Sequence, residues 1–149
     1  MDTSLHYLTM ANHLLIQKRI LEKVKESGLT LGQPKVLDYL KSHDGASQKK
    51  IAAGCFIEAG SLTSILNRME EKGLIERRML NGNRRTFHIF MTESGRKSQK
   101  LVEAAFVEIE ENAWKDISSE EAETFMKIYH KIYYNLSETG CKETGKEGK

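Results

Sequence analysis

The 149-residue chain holds two cysteines, one proline, one tryptophan and few aromatics of any kind. Cys55 and Cys141 are too few for a disulfide framework or a four-ligand metal site. With Pro34 the only proline, few breakers interrupt the periodic stretches, and a helix-rich chain is expected. No apolar run approaches the roughly 18 residues of a membrane-spanning helix. The opening Met1-Asp2-Thr3-Ser4 carries an acid and no basic stretch, so no signal peptide and a cytoplasmic location are expected. Catalytic signatures are missing as well: there is no Gly-rich phosphate loop, no Gly-x-Ser-x-Gly elbow and no His-Glu-x-x-His. The histidines, His6, His13, His43, His88 and His130, lack the short spacing of metal ligands. A protein that is not an enzyme, with no catalytic residues, no metal and no resident cofactor, is the expectation.

What is present is an uneven distribution of charge. The whole chain is only +2, but from Ser47 to Lys100 eleven Lys and Arg face five acids, while the remainder carries twelve against sixteen. A basic middle between acidic flanks is expected where one face meets a polyanion.

Periodicity divides the chain into a run of helices broken once by a hairpin. Leu8, Leu15, Ile16, Ile20 and Val24 recur at helical spacing over Leu5 to Glu26, and Gly28 follows as the stop. A second helix starts at Pro34 with Val36, Leu37 and Leu40 inward, ending near His43-Asp44-Gly45. Ser47 is placed to cap a short third helix, Gln48 to Cys55. The fourth begins near Ala59, and Leu62, Ile65, Leu66 and Met69 form an apolar stripe that Gly73 ends. The period then becomes two: Leu74 to Arg78 and Phe87 to Met91 read as strands joined through Asn81-Gly82. Thr92 opens a fifth helix with Leu101, Val102, Ala105, Phe106 and Ile109 on one side. Ser118 with Glu121 forms a capping box for a sixth carrying Phe125, Met126, Tyr129, Ile132, Tyr133 and Leu136. The expected class is mainly α with a small β-hairpin wing. Residues 1–149 are expected to form a single domain with a frayed, disordered tail over about 138–149.

Two short helices joined by a tight turn, the second with small polar residues at its start, describe a helix-turn-helix, whose second helix enters the DNA major groove. Gly60, Ser61, Thr63 and Ser64 permit close approach; Asn67 can pair with adenine, and Arg68 can reach guanine or a phosphate. Arginines of the hairpin, Arg77, Arg78, Arg84 and Arg85, suit the negative potential of a narrow minor groove. Double-stranded DNA is the expected partner and no membrane is. A winged helix used only for protein–protein contact is the alternative, although such an adaptor has no need of a basic wing. An enzyme using Cys55 or Cys141 lacks an evident base to activate the thiol, and Cys55 reads as a small core hydrophobe.

These segments together resemble the MarR family. Ser47-Gln48-Lys49-Lys50-Ile51-Ala52 is similar to the opening of that family's third helix. Ser61-Leu62-Thr63, then Asn67-Arg68-Met69-Glu70-Glu71-Lys72-Gly73-Leu74-Ile75-Glu76-Arg77-Arg78, resembles its recognition helix running into the wing. Asn83-Arg84-Arg85 and Met91-Thr92-Glu93-Ser94-Gly95 resemble the wing's Asp-Arg-Arg signature and the Leu-Thr-x-x-Gly after it. The likeness runs without a gap from about Leu31 to Gly95.

The resemblance implies a homodimer in which helices over about 5–27 and 93–136 interleave, with a winged helix-turn-helix lobe over about 31–92. It also implies a transcriptional repressor that binds a pseudo-palindromic operator and responds to a small anionic or phenolic effector, whose pocket the sequence does not locate. DNA contacts are expected from Ser47, Gln48, Gly60, Ser61, Thr63, Ser64, Asn67, Arg68, Arg77, Arg84 and Arg85. The chain departs from the pattern at Asn83, where the family commonly has Asp. Ser64 replaces a frequent Arg, and Cys55-Phe56 stand where Leu and a small turn residue are usual.

Overall fold

The computed structural model describes residues 3–80, 82 and 85–137. Asn81, Asn83, Arg84, Cys141 and the tail from 138 lie outside the described residues. The chain forms two compact units that divide between Ile109 and Glu110. In the first lie α1 (Leu5–Lys23), a 3-10 turn (Lys25–Ser27), α2 (Gln33–His43), α3 (Gln48–Cys55) and α4 (Ala59–Glu71). The strands β1 (Ile75–Met79) and β2 (Phe87–Met91) follow, then most of α5 (Glu93–Ala113); α6 (Ser119–Leu136) belongs to the second.

Local chemistry sets the boundaries. Gly28 closes the 3-10 turn with φ +77°, a conformation that costs a residue with a Cβ. Gly32 and Pro34 start α2, and the buried Gln33 accepts the Thr30 N–H on its Oε1 at 3.1 Å. Ser47 Oγ accepts the Lys50 N–H at 3.2 Å, the cap expected for α3. Phe56 ends α3 at φ +54°, the left-handed region, where a non-glycine residue costs roughly 1–2 kcal/mol. The tight corner to α4 is therefore made at a residue that does not favour it.

The core of the first unit is aliphatic. Val36, Leu37 and Leu40 of α2, Ile51 and Cys55 of α3, and Leu62, Leu66 and Met69 of α4 meet Ile75, Ile89 and Val102. Leu62, Leu66 and Met69 of the α4 stripe are fully buried and Ile65 partly so, which at about 1.5–3 kcal/mol per fully buried large side chain makes the stripe a principal anchor of the lobe. Not every periodic apolar position goes inward. Leu15, Ile16 and Leu101 are exposed, and of the α1 stripe only Ile20 and Val24 are buried, because α1 turns just its C-terminal end into this core.

The hairpin is antiparallel, with Ile75 opposite Met91 and Met79 opposite Phe87, one residue later at each end of β1 than the periodicity suggests. A third extended segment lies beside it. The Gly45 N–H donates to Ile89 O at 2.8 Å, the Ile89 N–H donates to Ala46 O at 3.0 Å, and Ser47 bridges His88. The wing is thus tied to the start of α3.

In the second unit the capping box is formed: Ser118 Oγ accepts the Glu121 N–H at 3.1 Å, and Glu121 Oε2 accepts the Ser118 N–H at 3.0 Å. Trp114 meets Phe125 edge-on and Phe125 stacks on Tyr129, with centroids 5.9 and 5.2 Å apart. No residue of α6 is buried, and Phe125, Met126, Ile128, Tyr129, Tyr133 and Leu136 are all exposed.

Candidate nucleic-acid interface

With Leu62, Leu66 and Met69 pinned in the core, the opposite face of α4 must turn outward. Gly60, Ser61, Thr63, Ser64, Asn67 and Arg68 are all exposed on it. A Cβ added at Gly60 would meet nothing within 4 Å, so the start of the helix is open to a surface that approaches closely. Ordered N–H groups at that end also carry the positive pole of the helix dipole.

Several of the expected contact residues hold one another. Gln48 Nε2 donates to Thr63 Oγ1 at 3.2 Å, and Thr63 Oγ1 donates to Ala59 O at 3.0 Å. This pair fastens the first turn of α3 to the first turns of α4. On the far side of α4, Arg77 reaches back from β1. Its Nη2 donates to Asn67 Oδ1 at 2.9 Å and its Nη1 pairs with Glu70 at 3.3 Å. Arg77 is therefore folded against the recognition helix, with its side chain only 14% exposed, whereas Arg68 and Arg85 are exposed. Ser47 uses its side chain as the α3 cap and its backbone against β2. Arg78 lies with its guanidinium carbon 4.5 Å from the centre of the Phe90 ring and pairs with Glu76.

Other residues that shape this surface had no motif to announce them. Asp44 Oδ1 accepts the Met91 N–H at 2.8 Å, and His88 Nδ1 donates to Gly45 O at 2.8 Å, so both brace the wing. Lys72, which follows the last residue of the recognition helix as its C-cap, donates to Gly28 O at 2.6 Å and to Gln33 Oε1 at 3.0 Å. Asp44 following the end of α2, and Lys72 beside Gly73 at a helix C-terminus, read locally as ordinary boundary residues. Their long-range partners leave no periodic trace.

Cys55 is packed in the core, its Sγ donating to Lys35 O at 3.7 Å. Burial pushes its thiol up to about 11, with Lys35 opposing and Asp38 adding to the rise. Among the described residues no group of His, Cys, Asp and Glu is placed to hold a metal ion, and no helix is long and apolar enough to cross a membrane.

Comparison with known proteins agrees with this architecture. A sequence model of the MarR family matches residues 27–86, the span from the 3-10 turn into the wing. A protein of Thauera aromatica described as a transcriptional regulatory protein for the hcr operon is 28% identical over 112 residues, covering 75% of this chain and 68% of its own. The HTH-type transcriptional regulator YwoH of Bacillus subtilis is 27% identical over 115 residues, covering 77% of this chain and 83% of its own. Among solved structures, the S. aureus MepR–DNA complex superposes with a TM-score of 0.82 at 25% identity, over 91% of this chain and all of that one. Over residues 27–86 the chain is similar to the MarR family, and its fold is that of the winged helix-turn-helix transcriptional regulators it resembles.

Proposed function

We propose that this chain is a repressor that binds a pseudo-palindromic operator as a homodimer and is released from it by a small-molecule effector. The observation that carries the DNA contact is the outward face of α4. Six small or polar residues are presented on a helix whose other face is locked in the core, next to a hairpin rich in arginine. The MepR complex, a relative at 25% identity with DNA bound, supports the same use of the lobe. Gly60, Ser61, Ser64, Asn67 and Arg68 address the major groove. Arg85 and Arg84 address the backbone or the minor groove beside it, and Gln48 with Ser47 supports the approach of α3 to a phosphate.

Dimerisation is supported by the apolar residues left exposed at Met10, Leu14 and Leu15 of α1 and along α6, a load heavier than a monomer normally leaves in water. A small anionic or phenolic effector acts on the dimer by shifting the separation of its two lobes. The cytoplasm, where such DNA lies, is the proposed location.

Purified protein titrated with labelled DNA from upstream of its own gene, against a scrambled duplex and across a salt series, tests the reading. Tight binding to the first duplex alone, with affinity falling steeply as salt rises, is the expected result. Absence of binding to any duplex at low salt would overturn it and leave the protein-contact module.

A further inference from the structure

Asn67 stands on the exposed face of α4 where the recognition helix meets the wing. A carboxamide has an acceptor end and a donor end of nearly the same shape, so its orientation is settled only by its neighbours. Arg77 settles it here. A guanidinium donates and never accepts, so the atom 2.9 Å from Arg77 Nη2 is Oδ1. Arg77 is itself held, with Nη1 on Glu70 at 3.3 Å and little of its side chain exposed. The amide is therefore locked with its acceptor toward β1, and Nδ2 is the end available to a base. Recognition of adenine by asparagine needs both ends at once, Oδ1 accepting from N6 and Nδ2 donating to N7.

From this geometry, and resting on the DNA-binding reading above, we infer that Asn67 selects guanine rather than adenine. Arg77 is the positioning residue: it takes one of the two lone pairs of Oδ1, sets its own positive charge beside that end, and leaves Nδ2 as the favoured contact to a base. The base edges rank accordingly. Guanine offers two adjacent acceptors, N7 and O6; thymine offers O4 beside a methyl group; adenine sets a donor beside its N7; and cytosine offers a donor alone. Guanine stands first, thymine second, adenine and cytosine last.

Selection of an operator from a random duplex pool, followed by fluorescence anisotropy with all four base pairs at each position, tests this. The wild type is expected to show one position per half-site where guanine is favoured over adenine by roughly tenfold. Asn67→Asp keeps an acceptor for Arg77 but offers the base an oxygen, so preference at that position should turn to cytosine. Arg77→Met frees Oδ1 and should raise adenine to the level of guanine, whereas Arg77→Lys, which still donates, should keep guanine ahead. Asn67→Asp alters one exposed amide, so it remains informative even where Arg77→Met does not fold. A wild-type preference for adenine that Asn67→Asp abolishes, or a guanine preference unmoved by Asn67→Asp, overturns the inference while DNA binding stands. Failure of the wild type to select any duplex overturns the DNA-binding reading itself.

Discussion

Two glycines of this chain do opposite work, and substitution should separate them. A Cβ at Gly95 would collide with the Leu74 carbonyl, a backbone atom that cannot swing aside. The Thr92 N–H donates to that same carbonyl at 3.0 Å, so the entry to α5 is pressed against the entry to β1. Gly95→Ala is expected to lower stability by about 1–3 kcal/mol, as overpacked sites do, read from the urea midpoint. Gly60 meets open space and sits in a helix, where alanine is the better helix former by up to about 1 kcal/mol. Gly60→Ala should therefore hold or raise stability while weakening operator binding, because the added methyl occupies the gap that the groove must enter. Equal operator affinity in Gly60→Ala would remove this helix tip from the contact surface. Cys55 gives a third test at this scale. An acid whose folded pKa is raised, here from 9.0 to about 11, contributes stability that is present below pH 9 and lost as pH rises toward 11. In a Cys141→Ser background, native protein at pH 8 should resist iodoacetamide and react fully once unfolded. Rapid native alkylation would mean that Cys55 is not the buried thiol described above.

Among the elements, Lys72 links the recognition helix to the loop leading into α2, through Gly28 O and Gln33 Oε1. Removing a charged donor from two such acceptors, one on a side chain only 1% exposed, should cost about 1–3 kcal/mol. Lys72→Met is thus expected to lower the urea midpoint with an unchanged m value, and an unchanged midpoint would show the contact to be idle. No feature of the sequence pointed to this contact. The helices and the hairpin were legible because each is written locally. The α4 stripe repeats at three and four residues, and Ser47 and Ser118 sit immediately before the helices they cap. Which apolar positions reach the core was less legible. The periodicity of α1 marks Leu15 and Ile16 as firmly as Ile20, and burial depends on what lies opposite, which the pattern does not encode. The candidate interface divides in the same way. That α4 presents a polar face follows from its stripe. That Arg77 spends its guanidinium on Asn67 and Glu70 depends on the hairpin register, which a one-residue shift of β1 changes.

For the whole molecule, what matters is whether two lobes act as one reader. A single lobe presents one recognition helix, and tight operator binding requires a second held about one helical turn of DNA away, on the order of 34 Å. In the proposed dimer that spacing depends on the apolar faces of α1 and α6. Leu136 and Met126 are suitable probes, since they are 76% and 50% exposed within a single copy. A charge placed on either adds little cost to the isolated chain, so any large effect must come from burial against a second copy. Leu136→Glu combined with Met126→Glu is expected to convert the dimer to a folded monomer in sedimentation velocity, with circular dichroism retained. Affinity for the palindromic operator should fall by at least tenfold, while binding to an isolated half-site should change little, because the lobe is untouched. A variant that remains dimeric would place the interface elsewhere on the chain. A monomer that still binds the full operator as tightly as the wild type would mean that one lobe supplies the whole affinity, and the symmetric reading of the operator would fail.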